Sequence, residues 1–589
     1  MNEFTEGREP VTIVEIDQDF CQLRYGVAPC TAQIGVTGDA KCYNTRRTCQ
    51  DAANYSPQPK TLHFCKPGER IPDEVYCIPS VSSVTTAPTV INPGGGDSNK
   101  GPLGTRASVR VVFTDHPHSD HIVDPYVSER GYNPLERGTF WSKWLARNPY
   151  YNNRVIRIRE GYQGQTLAEM VTRTYLIDKI DGPNSQGRVT VTAKDVLKLA
   201  DNDKAQAPRP SLGELLQDYA DDEGISALRI TGAPASEYPA PGTVRVNDEL
   251  MTYNAVATIS DTEIQLSGIT RATDGSELGS HDAGDRVQLC LRYTRMRPDQ
   301  IAYEWLTQYG DVPPEWIPLA EWEAEADVWL TAFEMSGLVT EPTGVDDLLS
   351  EITEQALFYI WWDEREQLIK LAAIKPPIFD NVPQIDDDRN IIEGSATVAQ
   401  DPSARVSQVW VFWGQRNPTE KLDKESNYRR LRVRADLEAE SDQQYGEQRI
   451  RKIFSRWVNT EAQAVNLSVR LLNRYRNNPR SLSASLDAKD RALWTGDVVD
   501  VTHRGVVDFY GQPLQTRYQI LSAEESTPGH EVEYQLEVYE YGSDLRFGRW
   551  MEADAPDYEE ATPTERLTGA WWADENGKVG TNDDGYRWV

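Results

Sequence analysis

Apolar and polar residues alternate with a period of two over most of this chain. ASVRVVFTD (107–115), VIRIREGY (155–162), TRTYLIDKI (172–180) and RVTVTAK (188–194) read as strands, the last two joined by the hairpin signal GPNSQG. A second group, LRIT, TVRVNDELMTYN, EIQLSG and RVQLCLRY between 227 and 292, is punctuated by Gly, Pro and Asp and reads as a separate small β-domain. A third begins after 481, where EVEYQLEV places Val532, Tyr534, Leu536 and Val538 on one face. The period lengthens to 3.6 in a few places. Ile301, Trp305 and Tyr309 form one helical stripe; Trp322, Ala326, Trp329 and Phe333 form a second; Val345, Leu348, Leu349, Ile352 and Ala356 form a third. FYIWWDEREQLIKLAAI reads as a hairpin turning at Asp363 to Glu366. Capping boxes at Ser211–Glu214 and Thr460–Gln463 predict two further helices. Another helix is expected to carry Tyr445, Arg449, Ile453 and Trp457.

The pattern predicts a mainly β protein with α, a multidomain α+β chain. It divides into a Cys-rich module (1–80), a linker (81–107) around the Pro/Gly/Ser-rich stretch Ser82–Gly104, and a β-domain (108–225). An inserted small β-barrel (226–295), a helix-rich segment with a hairpin (296–398) and a second β-domain with helices (399–550) follow. The tail (551–589) is acidic and carries Trp571, Trp572, Tyr586 and Trp588, which are expected to dock on the chain's own barrel or on a partner. Lys plus Arg number 61 against 92 Asp plus Glu, a net charge of −31, which argues against a protein that grips nucleic acid. No apolar run is long enough to span a membrane, so no stable membrane insertion is expected. Sixteen Trp and 27 Tyr are a heavy aromatic load in so acidic a chain, and protein–protein interfaces are one use for it.

Six of the seven cysteines fall within the first eighty residues: Cys21, Cys30, Cys42, Cys49, Cys65 and Cys77. Cys290 stands apart in VQLCL and reads as a small core hydrophobe. Three kinds of staple suit the six. A disulfide framework needs an oxidising compartment, and MNEFTEGREPVTIVEI shows neither a basic start nor an apolar export core. A four-thiolate zinc site usually presents C-x2-C knuckles, which are missing here. An iron–sulfur cluster also takes four thiolates, although neither common ferredoxin spacing occurs. Spacing alone leaves all three open.

The words CxxxYGxAPC (21–30) and KCYNTRRTCQDxxNY (41–55) resemble the cluster-binding domain of lambda-type minor tail proteins. They look like its fused form in the baseplate hub proteins of long-tailed siphophages and gene transfer agents. The resemblance continues through DHPHSDxxxDPY, GTFWSKWLARNPYYNNR, PTGVDDLLSEITEQALFYIWWD and WGxRNPT, and so covers most of the chain. It implies a [4Fe–4S] cluster on Cys21, Cys30, Cys42 and Cys49, with Cys65 or Cys77 as alternates and zinc as the alternative metal. It further implies two barrel-like hub domains and a homotrimeric ring in the virion, at the distal end of the tail (the baseplate). The ring would be assembled in the host cytoplasm. Its partners would be the distal tail protein, tail tube and tape-measure proteins and central fibre or tip proteins, and DNA would pass through its lumen.

Other chemistry is sparse. His116-Pro-His118-Ser-Asp120-His121 spells HxHxDH, a zinc-hydrolase signature, yet the next histidine is His281 and the α/β pattern of such enzymes is missing. The loop is therefore expected to be structural. Neither GxSxG, nor a phosphate-cradling Gly loop, nor HExxH occurs, so no catalytic residue is assigned and the chain is not expected to be an enzyme. Two enzyme alternatives remain, a metal-dependent hydrolase and an iron–sulfur redox protein, beside a disulfide-stapled adhesin. Arg429, Arg430, Arg432 and Arg434 form a basic patch that either touches phosphate or pairs with carboxylates and water.

Overall fold

The computed structural model describes residues 2–93, 103–375 and 382–539 apart from positions 6, 132, 134, 202 and 223, together with 549–550, 560, 562 and 569–570. The aromatics expected in the tail lie outside the described residues.

Strand β1 (Pro10–Cys21) is buried on both faces, which is why PVTIVEIDQDFC carries apolar side chains at successive positions. It sits inside an eight-stranded sheet with β2 (Pro57–Cys65), β3 (Cys77–Pro79), β4 (Val81–Ala87), β5 (Ser108–Thr114), β6 (Val155–Tyr162), β7 (Val171–Asp181) and β8 (Arg188–Lys194). The order is β3-β2-β1-β6-β7-β8-β5-β4. Its two edge strands are separated in sequence by Ser80 alone, whose carbonyl accepts from the Thr114 N–H at 2.7 Å. The sheet must therefore curl until its edges meet, giving a barrel-like unit. Val14, Ile16, Phe64, Phe113 and Ile158 fill it, and Phe140, Trp141 and Trp144 of helix α2 (Phe140–Arg147) pack into the same core. A one-turn helix, α1 (Val127–Arg130), precedes α2.

This corrects two expected boundaries. Residues 1–80 are not a separate module, because three of their strands belong to this barrel and the loop 22–56 grows out of it. Residues 81–107 are not wholly a linker. Val81–Ala87 pairs with β5, its β-branched Val and Thr suiting an edge strand whose outer face is wet.

Strand β9 (Gln206–Ala207) comes next, and two four-stranded sheets follow it. One contains β10 (Glu214–Leu215), β11 (Ala227–Thr231), β14 (Ala255–Ser260) and β15 (Glu263–Ser267). The other contains β12 (Gly242–Val246), β13 (Glu249–Tyr253), β16 (Val287–Met296) and β17 (Met335–Val339). The helix expected from Ser211 does not form. The Ser211 side chain is spent elsewhere: its hydroxyl accepts from the Leu289 N–H, while its own N–H donates to Gln288, so it cannot cap a helix.

The largest core joins α3 (Pro298–Glu304), α4 (Leu319–Trp329), α5 (Val345–Ala356) and α6 (Glu461–Tyr475) to the hairpin β19 (Phe358–Asp363)–β20 (Leu368–Ala373). Strand β18 (Thr343–Gly344) enters α5 and pairs with β9. All three sequence stripes face this core, and α6 opens on its Thr460–Gln463 capping box. Against it lies a three-stranded sheet in the order β24-β23-β25, formed by β23 (Gln408–Gln415), β24 (Tyr428–Ala435) and β25 (Ile450–Phe454). The helix expected through Tyr445 and Trp457 is thus corrected to strand β25, parallel to β23. Ile453 faces inward there, and ladder pairing overrides a coincidental four-residue spacing.

A six-stranded sheet completes the described fold, in the order β21 (Gln384–Asp386), β27 (Val498–Val507), β28 (Pro513–Thr527), β29 (Glu531–Val538), β26 (Arg480–Asp487), β22 (Thr397–Gln400). The segment 387–396 links its edge strands, and Ile391 bridges to Leu486, so this sheet also curls around its core of Trp494, Tyr518, Ile520, Tyr534 and Leu536. The protein is mainly β with α, in several packed units.

A buried ionic knot ties the two barrel-like units to the hairpin. Glu160 on β6 and Arg173 on β7 pair at 2.5 Å, both nearly inaccessible. Arg365, at the hairpin turn, reaches Glu525 on β28 at 3.4 Å and lies 3.4 Å from the ring centre of Trp494. Beside it, burial pushes the Glu364 carboxyl up to about 7, against the pull of Arg173, and Thr89 Oγ1 donates to it at 3.3 Å. Because this pKa is higher in the folded than in the unfolded chain, the folded state holds the proton more tightly. Stability therefore falls as pH rises from the ordinary carboxylate range through 7. Glu364→Gln should stabilise the protein by about 3 kcal/mol at pH 8 and change it little at pH 4, which thermal unfolding at the two pH values will check.

Candidate metal centre

The loop 22–56 leaves the sheet at Cys21 and re-enters it at Pro57, and these two residues are the last paired across β1 and β2. Few apolar residues are available to order this loop, so side-chain hydrogen bonds do the work. Asn44, in the left-handed region at φ +55°, donates from Nδ2 to the Cys21 carbonyl at 2.9 Å, while its own carbonyl accepts from the Cys21 N–H at 2.7 Å. Gln50 accepts from Tyr25 Oη and Thr37 Oγ1 and donates to the Ala40 carbonyl. Asp51 accepts from the Thr31 N–H and hydroxyl.

The barrel grips the loop from below. Arg130 donates to the carbonyls of Lys41 and Cys42 at 3.0 and 2.8 Å while paired with Asp124. The guanidinium groups of Arg130 and Arg147 lie 3.8 and 3.9 Å from the ring centre of Tyr43. Tyr126 accepts from the Tyr25 N–H, and with Tyr25 and Ala32 it forms a small apolar cluster against which Cys30 and Cys42 pack.

These contacts bring Cys21, Cys30, Cys42 and Cys49 to the wall of one pocket, shared with Leu23, Tyr25 and Tyr55. All four are free thiols. Burial pushes the Cys42 and Cys49 thiols above their ordinary value, and the neighbouring cysteines push them further the same way. Four thiolates gathered here repel one another, and a multiply charged cation among them would reverse that balance. One zinc ion would need its four sulfurs about 3.8 Å apart, given zinc–sulfur bonds of about 2.3 Å. Among the described residues no three His, Cys, Asp or Glu groups stand close enough to share a single ion. Four sulfurs around one pocket are a donor set that either an iron–sulfur group or a zinc ion takes.

Cys65 and Cys77 are not alternates for this set. Cys65 pairs with Ile13 at the far end of β2, eight positions from the Pro57–Cys21 pair, or roughly 26 Å along the strand. Both are buried with Val11, Ile13 and Met170 in a separate apolar cluster. Cys290 is buried beside Leu250 and Leu338, as its alternation implies.

The HxHxDH loop does structural work. The carboxylate of Asp120 is taken by Lys143 at 2.8 Å and Arg147 at 3.0 Å, and the Asp120 N–H donates to His118 Nδ1. Asp115 accepts from the Trp141 N–H at the start of α2, and the His116 ring stacks on Phe140. The loop therefore seats α2, and through Arg147 it supports Tyr43 under the thiols. Sequence reading missed the supporting residues Asn44, Tyr126 and Arg130. Asn44 had a local signal, a residue tolerant of positive φ between two cysteines, whereas Arg130 lies too far along the chain to have one.

No protein-family model and no curated protein matches this chain. Among solved structures it is similar to a tail protein from Neisseria meningitidis MC58, at 11% identity over 78% of this chain and 98% of that one, with a TM-score of 0.35. A 43 kDa tail protein of prophage MuSo2 from Shewanella oneidensis gives 9% identity over 78% and 97%, with a TM-score of 0.34. A chain of the native gene transfer agent virion gives 9% identity over 58% and 92%, with a TM-score of 0.28. Likeness this loose assigns no residue a role.

Arg130 is the main tie between barrel and thiol loop. Arg130→Ala should cost about 2 kcal/mol, as expected for charge-assisted hydrogen bonds lost from a partly buried site, and should speed limited proteolysis within residues 22–56 relative to the rest of the chain.

Proposed function

We propose that this chain is a structural baseplate hub protein at the distal end of a siphophage tail, with a [4Fe–4S] cluster held by Cys21, Cys30, Cys42 and Cys49. The observation that carries the reading is the gathering of those four thiols, out of seven, in one pocket. They are the same four that the resemblance to hub proteins singles out. The cluster would act as a structural cross-link: bound to all four sulfurs, it would fix a loop that has little core of its own.

Two barrel-like units in one chain suit the rest of the proposal. Three copies would present six such units around an axis and so meet a sixfold tail tube, with the distal tail, tube and tape-measure proteins above and fibre or tip proteins below. The net charge of −31 would keep DNA from adhering to the lumen as it passes. Among the described residues no helix is long and apolar enough to cross a membrane. The hydrolase alternative finds the carboxylate of its motif already committed to Lys143 and Arg147.

Anaerobically purified protein should be brown, with broad absorbance near roughly 400 nm and about four iron and four sulfide per chain. Serine in place of any of the four pocket cysteines should abolish the colour, whereas Cys65→Ser, Cys77→Ser and Cys290→Ser should leave it intact. Zinc without iron, or colour lost equally in both groups, would overturn the assignment. Light scattering should give a particle of about three chains.

A further inference from the structure

Copies of a chain carrying −31 charges repel one another, so a ring built from them needs a contact surface of the opposite sign. Strand β24 has that character. Four of its eight residues are arginines, in the run Tyr428-Arg-Arg-Leu-Arg-Val-Arg-Ala435. Arg429, Arg430 and Arg434 are exposed, and among the described residues none of them forms an ion pair. Arg432 is answered by Glu461 at 3.6 Å, and the Arg430 guanidinium lies 5.2 Å from the ring centre of Trp413. The acidic stretch that follows is engaged elsewhere: Asp436 pairs with Arg476, and Glu440 accepts from Ser407 and Gln408.

The strand is also open in two other respects. It is the edge of the sheet β24-β23-β25, so one row of its backbone N–H and C=O groups has no ladder partner among the described residues. The pairing register places Leu431 and Val433 on one face with Trp410 and Ile450. The opposite face carries Val409, Val411 and Ile453 into the core beside α6, with Arg430, Arg432 and Arg434 at its rim. Leu431 and Val433 are 45% and 44% exposed, and Ile450 is 41% exposed. A basic edge strand with an apolar outer face suits an acidic extended partner added strand to strand.

We infer that β24 is the surface through which one copy of this chain grips the acidic surface of the next, in a head-to-tail contact of the kind that closes rings. This rests on the hub reading above and supplies the contact that reading lacks. A phosphate backbone is the other polyanion that such arginines attract. Strand β24 favours protein, because its open backbone row can take an added strand while Leu431 and Val433 lie exposed on the face opposite Arg430, Arg432 and Arg434.

The test uses the full chain with its metal loaded. Wild type and the double variant Arg429→Glu/Arg434→Glu are compared by light scattering, with the thermal midpoint and iron content as controls for folding. Wild type should run as about three chains and the variant as one, with both controls unchanged. Leu431→Asp, at an exposed position, should do the same if the double variant folds poorly. The wild-type assembly should also weaken at least tenfold between low salt and about 1 M, where the screening length falls to about 3 Å. A trimeric wild type whose folded variants remain trimeric overturns the role of β24 and leaves the ring standing. A monomeric wild type overturns the ring, and this inference with it. Duplex DNA bound by wild type and lost in the double variant, with the assembly mass unchanged, would make the strand a nucleic-acid contact instead.

Discussion

Everything at the thiol end of this molecule depends on the register of β1. The strand is laddered to β2 on one side and β6 on the other, and its last pair is Cys21 with Pro57. A slip of one residue would turn Val14 and Ile16 out of the barrel and carry Cys21 to the opposite face of the sheet. The apolar core that fixes the register therefore also fixes where the first thiol stands. The loop that follows starts and ends on paired strands, so its closure cost is met by the sheet rather than by the loop's own contacts.

Charge in this protein is organised rather than merely abundant. At the junction of the barrel-like units the carboxylates are buried and matched, Glu160 with Arg173 and Glu525 with Arg365. Such pairs add little net stability over apolar packing, but breaking one leaves a buried charge without its partner. Glu160 and Arg173 join neighbouring strands of the first unit, and Arg365–Glu525 joins the hairpin to the second. At the thiol loop the same chemistry is used at the surface, where Arg130 and Arg147 enclose Tyr43 and Arg130 holds the backbone of Cys42. The HxHxDH loop connects the two uses, since Asp120 orients Arg147.

Where sequence reading went astray, the reasons are specific. Ser82–Gly104 read as a linker because its composition is rich in Pro, Gly, Ser and Thr, yet Val81–Ala87 gains order from β5, more than twenty residues ahead. The four-residue spacing of Tyr445, Arg449, Ile453 and Trp457 imitated a helix, and only the neighbouring β23 made residues 450–454 a strand. Ser211 had the local form of a helix cap, but its hydroxyl was claimed by a strand nearly eighty residues away. Propensity is a local quantity, and each of these segments was decided by a distant partner.

By itself the sequence determined the alternating strands, the three helical stripes and the hairpin at Asp363–Glu366. All of these follow from periodicity or from spacing within a few tens of residues. Only the tertiary structure decided that the cysteine loop grows out of a barrel rather than forming a module of its own. It also separated Cys65 and Cys77 from the thiol pocket and left Arg429, Arg430 and Arg434 exposed at a sheet edge. Strand pairing sets those positions, and strand pairing depends on residues that one stretch of sequence does not contain.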